Sequence, residues 1–253
     1  MSAPLPLDGR IALVTGASRG IGRASALALA CAGAQVIAVA RTQGALVALD
    51  DEIRAATGRS ATLVPMDIAE GDNLDKLGLT LHQRHGRIDV LVNAAGVLGA
   101  LTPVAHADPK LWERVMAVNL TAVHRLIRST EPLLKVSEAG RAIFLTSSRA
   151  ARPRAFWGPY AASKAGVEAI VRTWADELEH TTVRAVLLDP GAMRTKMRAE
   201  AMPGEDPLTL PDPSEIGPLI VELAQADLGL PKENVSFAAW TSSGTLLSSP
   251  QRP

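Results

Sequence analysis

The residues best suited to chemistry lie in one short stretch, Tyr160-Ala161-Ala162-Ser163-Lys164, which opens a predicted helix after a Gly158-Pro159 turn. Tyr160 is the only tyrosine among 253 residues, in a chain with 3% aromatics. Four residues along a helix make about one turn, so Lys164 shares a face with the phenol. An ammonium beside a phenol favours the phenolate and is expected to draw its pKa below the reference value of about 10. The pair is a candidate general acid/base. Taken alone it has a plainer reading, a half-buried tyrosine and a snorkelling lysine at an ordinary helix start, and short motifs match by chance.

A second stretch could hold a cofactor. Thr15-Gly16-Ala17-Ser18-Arg19-Gly20-Ile21-Gly22 lies between an apolar strand and a helix. Glycines there let backbone N–H groups close on a pyrophosphate at the positive end of the helix. The spacing is G-x-x-x-G-x-G, not the commoner G-x-G-x-x-G. Its place between strand and helix favours nucleotide binding over a merely tight turn. The end of the second strand, Val39-Ala40-Arg41, carries no acid to accept a ribose 2′-hydroxyl. Arg41 and Arg19 could instead clamp a 2′-phosphate through charge-assisted hydrogen bonds. The expected cofactor is therefore NADP(H), the plain alternative being a solvated Arg41.

Short β-branched runs alternating with amphipathic stretches must position these groups. Strands are predicted at Ile11 to Val14, Gln35 to Ala40, Ala61 to Val64, Ile88 to Val92, Ala142 to Leu145 and Val183 to Leu188, with a seventh at Val235 to Phe237. Helices are predicted from Ile21 to Ala32, to about Thr57 before Gly58, and from Asn73 to His85 before Gly86. Further helices cover Tyr160 to about Leu178 and Ser214 to about Ala226, and Pro109 to about Lys135 reads as one long helical region with Pro132 in its last turn. Strands apolar on both faces and separated by helices imply a parallel sheet covered on both sides. The fold class is α/β, a single-domain doubly wound Rossmann fold of about seven strands. One domain is expected over residues 1–240, with an irregular flap from Gly191 to Pro213 and a loose tail over 241–253.

Bulk composition narrows the partners. Lys+Arg and Asp+Glu balance at 26 each, which leaves no net field for nucleic acid or an anionic membrane. The one cysteine, Cys31, rules out an intrachain disulfide and a multi-cysteine zinc site. Its apolar neighbours suggest a buried, inert thiol. The five histidines show no ligand spacing, so no catalytic metal is expected. Neither a secretory signal nor an uninterrupted membrane-length apolar run is evident, and a cytoplasmic enzyme or binding protein is expected.

Together these motifs resemble the short-chain dehydrogenase/reductase family, from about Gly9 to Phe237. Thr15-Gly16-x-x-x-Gly20-x-Gly22 looks like its cofactor turn. Asp67, in Met66-Asp67-Ile68, matches the aspartate that reads the adenine amino group. Asn93-Ala94-Ala95-Gly96 matches the NAAG motif that supports the sheet and lines the adenine-ribose site, and Asn119 matches the helix asparagine of the catalytic tetrad. Ser147, Tyr160 and Lys164 complete that tetrad, while Pro190-Gly191-Ala192-Met193-Arg194-Thr195 looks like the P-G-x-x-x-T element at the nicotinamide. Counting through the fifth strand, and the thirteen-residue step to Tyr160, select Ser147 over its neighbour Ser148. Gly191 to Pro213 is also similar to the lid of a bacterial YciK-like branch of the family.

The resemblance implies hydride transfer between nicotinamide and a small carbonyl or alcohol. Ser147 would hydrogen-bond the carbonyl oxygen and Tyr160 would exchange the proton. Lys164 would lower the Tyr160 pKa and hold the nicotinamide ribose, and Asn119 would fix the helix backbone and a proton-relaying water. A homodimer or homotetramer is the expected assembly, although no second glycine-rich segment follows Phe237. Arg149, Arg152 and Arg154, with Arg194, Lys196 and Arg198, concentrate positive charge near the expected cleft. They suit an anionic group on substrate or cofactor, or are solvated loop charges. Phe156 and Trp157 wall the pocket or pack beneath the loop. Two other readings are an NADP-binding regulatory or scaffold protein, which has no need of all four tetrad residues, and a nucleotide-sugar lyase or epimerase, which resembles longer chains.

Overall fold

Hydrophobic strands without polar alternation build a sheet that must be covered on both faces. Seven strands form it, all parallel, in the order β3-β2-β1-β4-β5-β6-β7. The strands are β1 Ile11–Thr15, β2 Gln35–Ala40, β3 Thr62–Pro65, β4 Val90–Asn93, β5 Arg141–Leu145, β6 Arg184–Asp189 and β7 Val235–Ser236. The computed structural model describes residues 4–227, 229 and 234–244. Every residue of β1, β4 and β5 is buried. Successive side chains go to opposite faces: Ala12 and Val14 join one core cluster, Ile11 and Leu13 the other.

Helices α1 (Gly20–Cys31), α2 (Gln43–Thr57) and α9 (Gly217–Leu223) cover the first face through Leu29, Leu46 and Leu219. Helices α3 (Gly71–His85), α5 (Ala122–Val136) and α7 (Gly158–Glu177) cover the second through Leu77, Leu126 and Val171. Helices α2 and α3 stop where expected, at Gly58 and Gly86, each in the left-handed conformation that glycine tolerates. Among the described residues no helix is long and apolar enough to cross a membrane.

Four expectations need correction. The region expected as one long helix is three segments: α4 (Pro109–Met116), a π-helical stretch Ala117–Thr121, and α5. The flap is not irregular throughout, since it holds α8 (Lys196–Ala201) and a 3₁₀ turn Pro207–Thr209. Phe237 belongs to no strand; it starts α10 (Phe237–Ser243), so 241–243 are helical, while the rest of the predicted tail beyond Gly244 lies outside the described residues. Cys31 is exposed, because it falls two positions beyond buried Leu29 and so on the outer side of α1. The remaining short helix, α6 (Ser148–Ala151), follows β5 directly.

Candidate active site

Parallel strands all end on one edge of the sheet, and the crevice outside those ends is where such folds bind ligands, at the point where strand order reverses. Here β1 lies between β2 and β4, which makes that point the β1–α1 turn. A cavity of about 1180 Å³ opens there. It is lined from the glycine turn, past the ends of β2, β4, β5 and β6, to the flap.

The glycine turn is dictated by close approach. A Cβ on Gly16 would sit 2.8 Å from the Ala95 backbone, and one on Gly22 2.3 Å from the Gly16 carbonyl oxygen. Gly16 also adopts φ +68°, which other residues resist. No side chain caps the N-terminus of α1, whose cap position is Arg19, and no acid occupies its first turn. Its leading N–H groups thus face the cavity without a side-chain acceptor, the arrangement that suits a pyrophosphate. The residues therefore fit a dinucleotide. Ser18, Arg19, Gly20, Ile21 and Gly22 line this end, as do Arg41, Asp67 and Ile68. The buried Thr15 hydroxyl stands behind the turn, donating to Asn93 Oδ1 (2.7 Å) and accepting from the Ala95 N–H (3.3 Å), which ties β1 to β4.

Asp67 is not alone at this end of the cavity. Arg114 of α4 donates to its Oδ2 at 2.7 Å, and Arg41 lies 4.0 Å away. Burial would raise the Asp67 carboxyl, yet the Ala69 N–H, Arg114 and Arg41 together hold it below the usual carboxylate range. Arg114 escaped the sequence reading because nothing local marks a helical arginine 46 positions before Tyr160 as a cavity residue.

At the other end Tyr160, Ser147, Lys164 and Asn119 meet. Tyr160 is buried against Trp157, their rings edge to face at 5.8 Å. Ser147, which caps α6, stands beside the phenol, whereas Ser148 is exposed and accepts from Arg149 Nη2 (3.2 Å). Lys164 is buried, with Nζ donating to the Leu145 carbonyl at 2.8 Å and lying 5.9 Å from the Tyr160 ring centroid. Asn119 accepts from the Val97 N–H (2.8 Å) and donates to the Val97 carbonyl (2.9 Å) and Ser163 Oγ (3.0 Å). Its place in the π-helical stretch widens the turn that presents it, a distortion often found at functional sites. Thr195 caps α8 beside the glycine turn, with its methyl 3.3 Å from where a Gly20 Cβ would stand. Pro190, Gly191 and Ala94 to Gly96 line the same cavity.

The expected acidification of Tyr160 is not what this geometry gives. Burial pushes the phenol up to about 12, and nearby Asp189 adds to that, with the Ser147 hydroxyl opposing both. Burial likewise lowers Lys164 to about 8, against the pull of Asp189 and Glu168. The cation is turned to a carbonyl and sits too far off to offset the loss of water around the phenol. Glu168 is a further residue the sequence reading missed. It is buried one turn beyond Lys164, accepts from the Thr146 hydroxyl at 2.7 Å, and pairs with Arg172 at 2.6 Å. The i, i+4 stripe Tyr160-Lys164-Glu168-Arg172 was a readable signal for it.

The short chain dehydrogenase family model matches residues 10–206. The chain belongs to the short-chain dehydrogenase family. It is similar to the uncharacterized oxidoreductase YciK of Escherichia coli K12, 38% identical over 87% of this chain and 88% of that protein. A short chain dehydrogenase structure from Pseudomonas syringae superposes with TM-score 0.89 at 37% identity, covering 93% of this chain and 97% of that one. Another, from Shigella flexneri 2a and complexed with NADP, gives 0.88 at 35% identity over 92% and 98%. An oxidoreductase with a Rossmann fold is thus established at the level of the family.

Proposed function

We propose that this short-chain dehydrogenase is an NADP(H)-dependent oxidoreductase that interconverts a small carbonyl compound and its alcohol. The observation that carries the reading is one continuous cavity with an anion-suited helix end and two arginines at one side, and a phenol, a serine and a lysine at the other. The NADP complex of the Shigella flexneri relative supports the cofactor choice. Gly16 to Gly22 would hold the pyrophosphate, Arg19 and Arg41 the 2′-phosphate, Asp67 and Ile68 the adenine, and Asn93 to Gly96 the ribose. Pro190, Gly191 and Thr195 would flank the nicotinamide, whose contribution when bound is hydride at C4.

In reduction, the Ser147 hydroxyl holds the substrate oxygen and Tyr160 donates the proton. A phenol kept protonated by burial is already in the donor form at neutral pH. Lys164 holds cationic charge beneath the phenol, and Asn119 locks the Val97 backbone and the Ser163 side of α7 so that phenol and ammonium keep their places.

NADPH absorbance followed over a panel of ketones, aldehydes and alcohols, with NADH as control, tests this. Tyr160→Phe should bind NADPH, by its fluorescence, yet lose at least about a hundredfold in turnover. Arg41→Ala should cut the preference for NADPH over NADH by about tenfold, the scale of charge-assisted contacts at a partly exposed site. Unchanged turnover in the first variant defeats the proposed role of the phenol.

A further inference from the structure

Six basic residues crowd the substrate side of the sequence, and the fold sorts them into two groups. In the flap, Arg194 pairs with Asp212 at 2.8 Å, Arg198 grips both oxygens of Glu205 at 2.5 and 2.6 Å, and Lys196 lies 3.9 Å from Glu200. Those three cations are neutralised by their own segment. Arg152 is exposed and does not line the cavity. Arg149 and Arg154 do line it, and neither has a carboxylate partner among the described residues.

Arg149 is also held in place. Its backbone N–H bonds Ser147 Oγ at 3.2 Å, and its guanidinium lies 5.9 Å from the Trp157 ring centroid. A planar guanidinium over an indole is a cation–π contact that restrains the fork, and with Nη2 donating to Ser148 Oγ at 3.2 Å the remaining N–H groups are left to meet an anion. Trp157 in turn abuts Tyr160, so the fork stands one indole away from the phenol. The wall between is apolar, formed by Leu98, Met197, Ala201 and Met202 with Trp157. Arg19 and Arg41 serve the opposite end of the cavity, which leaves this second cationic pair without a role in the proposed dinucleotide site.

We infer that the substrate is a carbonyl compound with a short apolar segment ending in an anionic group, a carboxylate or phosphate, which Arg149 takes at the cavity rim with Arg154 beside it. This rests on the hydride-transfer reading of the same cavity. The apolar wall takes the segment, Ser147 and Tyr160 take the carbonyl oxygen, and the fork sets the distance between the two ends. Trp157 is then a spacer as well as a wall.

The test compares levulinate with its amide and with a keto-alkyl phosphate of matched length. The native enzyme should show a kcat/KM for the better anion at least about tenfold above the amide, and the ratio should shrink as salt is added. Carboxylate against phosphate tells which end group the rim prefers. Arg149→Met should bring the ratio toward one, Arg149→Lys should keep part of it, and Arg152→Met should leave it within about twofold. Retained NADPH fluorescence and an unchanged melting temperature exclude misfolding as the cause. Equal turnover of acid, phosphate and amide, or a preference surviving the Arg149→Met/Arg154→Met double variant, overturns the inference while leaving hydride transfer intact. If no carbonyl on any panel reacts, it is the hydride reading that falls. Calorimetry of pentanoate, butyl phosphate and pentanamide with the NADP-loaded protein then decides the anion site alone: binding lost in Arg149→Met upholds it, and no preference for the anions over the amide overturns it.

Discussion

Lys164 is a buried ammonium whose charge survives on borrowed support. Burial lowers it to about 8 while Asp189 and Glu168 pull upward. With an ordinary value of 10.5 in the unfolded chain, the unfolded state is the better proton binder between about 8 and 10.5. For this group stability is therefore full above 10.5 and is lost as pH falls to about 8, a swing of about 3 kcal/mol. Tyr160 acts oppositely: its raised value adds stability that is complete below 10 and lost as pH rises through about 12. Chemical denaturation of the cofactor-free protein should show Lys164→Met gaining on the native chain at pH 7.5 and the gap closing by about pH 10.5. A gap that is flat across that range contradicts the buried-ammonium account. Glu168 belongs to the same argument, since Glu168→Gln removes a negative charge one turn from the ammonium and should lower the Lys164 value further.

At the scale of elements, the flap and the π-helical stretch do the positioning. The flap carries α8 and returns to the sheet through Arg194, which donates to Asp212 and whose N–H bonds the Pro211 carbonyl at 2.9 Å. Asp212 also caps the turn Pro213–Ile216 in a reciprocal box with Glu215. The Ser214 backbone and side-chain hydrogen bonds, then Arg194, hold Asp212 at about 2, so this clasp persists until pH falls that low. Asp212→Ala removes both the cap and the ion pair, a loss of about 1 kcal/mol confined to the flap. Trypsin should then cut faster at Lys196 and Arg198, and KM should rise severalfold with little change in melting temperature. Equal cleavage rates would mean the clasp does not govern flap opening. The π-helical stretch has a different task, because it lets Asn119 reach across to the Val97 backbone from within a continuous helical region.

For the whole molecule, the sheet is a slab between two cores, and Phe144 lies at the middle of one. It is fully buried on β5 and meets Trp174 of α7 edge to face at 6.0 Å. β5 ends at Ser147's turn and α7 carries Tyr160, so this contact couples the two elements that bring serine and phenol together. Phe144→Ala should cost about 3–5 kcal/mol by urea denaturation. Its effect on kcat should exceed that of an equally destabilising cavity in the other core, such as Leu46→Ala on α2. Matching kcat losses would show the coupling to be stability alone.

The alternation of buried strands and glycine-stopped helices follows from local residue types, and it was legible from the chain: Gln35–Ala40 is a strand to the residue, and Gly58 and Gly86 end their helices. The turn Thr15 to Gly22 was legible from its glycines after an apolar strand, and Tyr160 with Lys164 from their helical spacing, whereas Asn119 and Ser147 were picked out only by the resemblance to the family. Long-range burial was not legible. Spacing could place a cation one turn from the phenol, but only packing determined that water loss outweighs it and that the phenol stays protonated. Charge count likewise showed six cations near the cleft, whereas their acid partners come from residues up to eighteen positions away. Which cations are neutralised depends on where the flap folds back, and that is decided by tertiary contact.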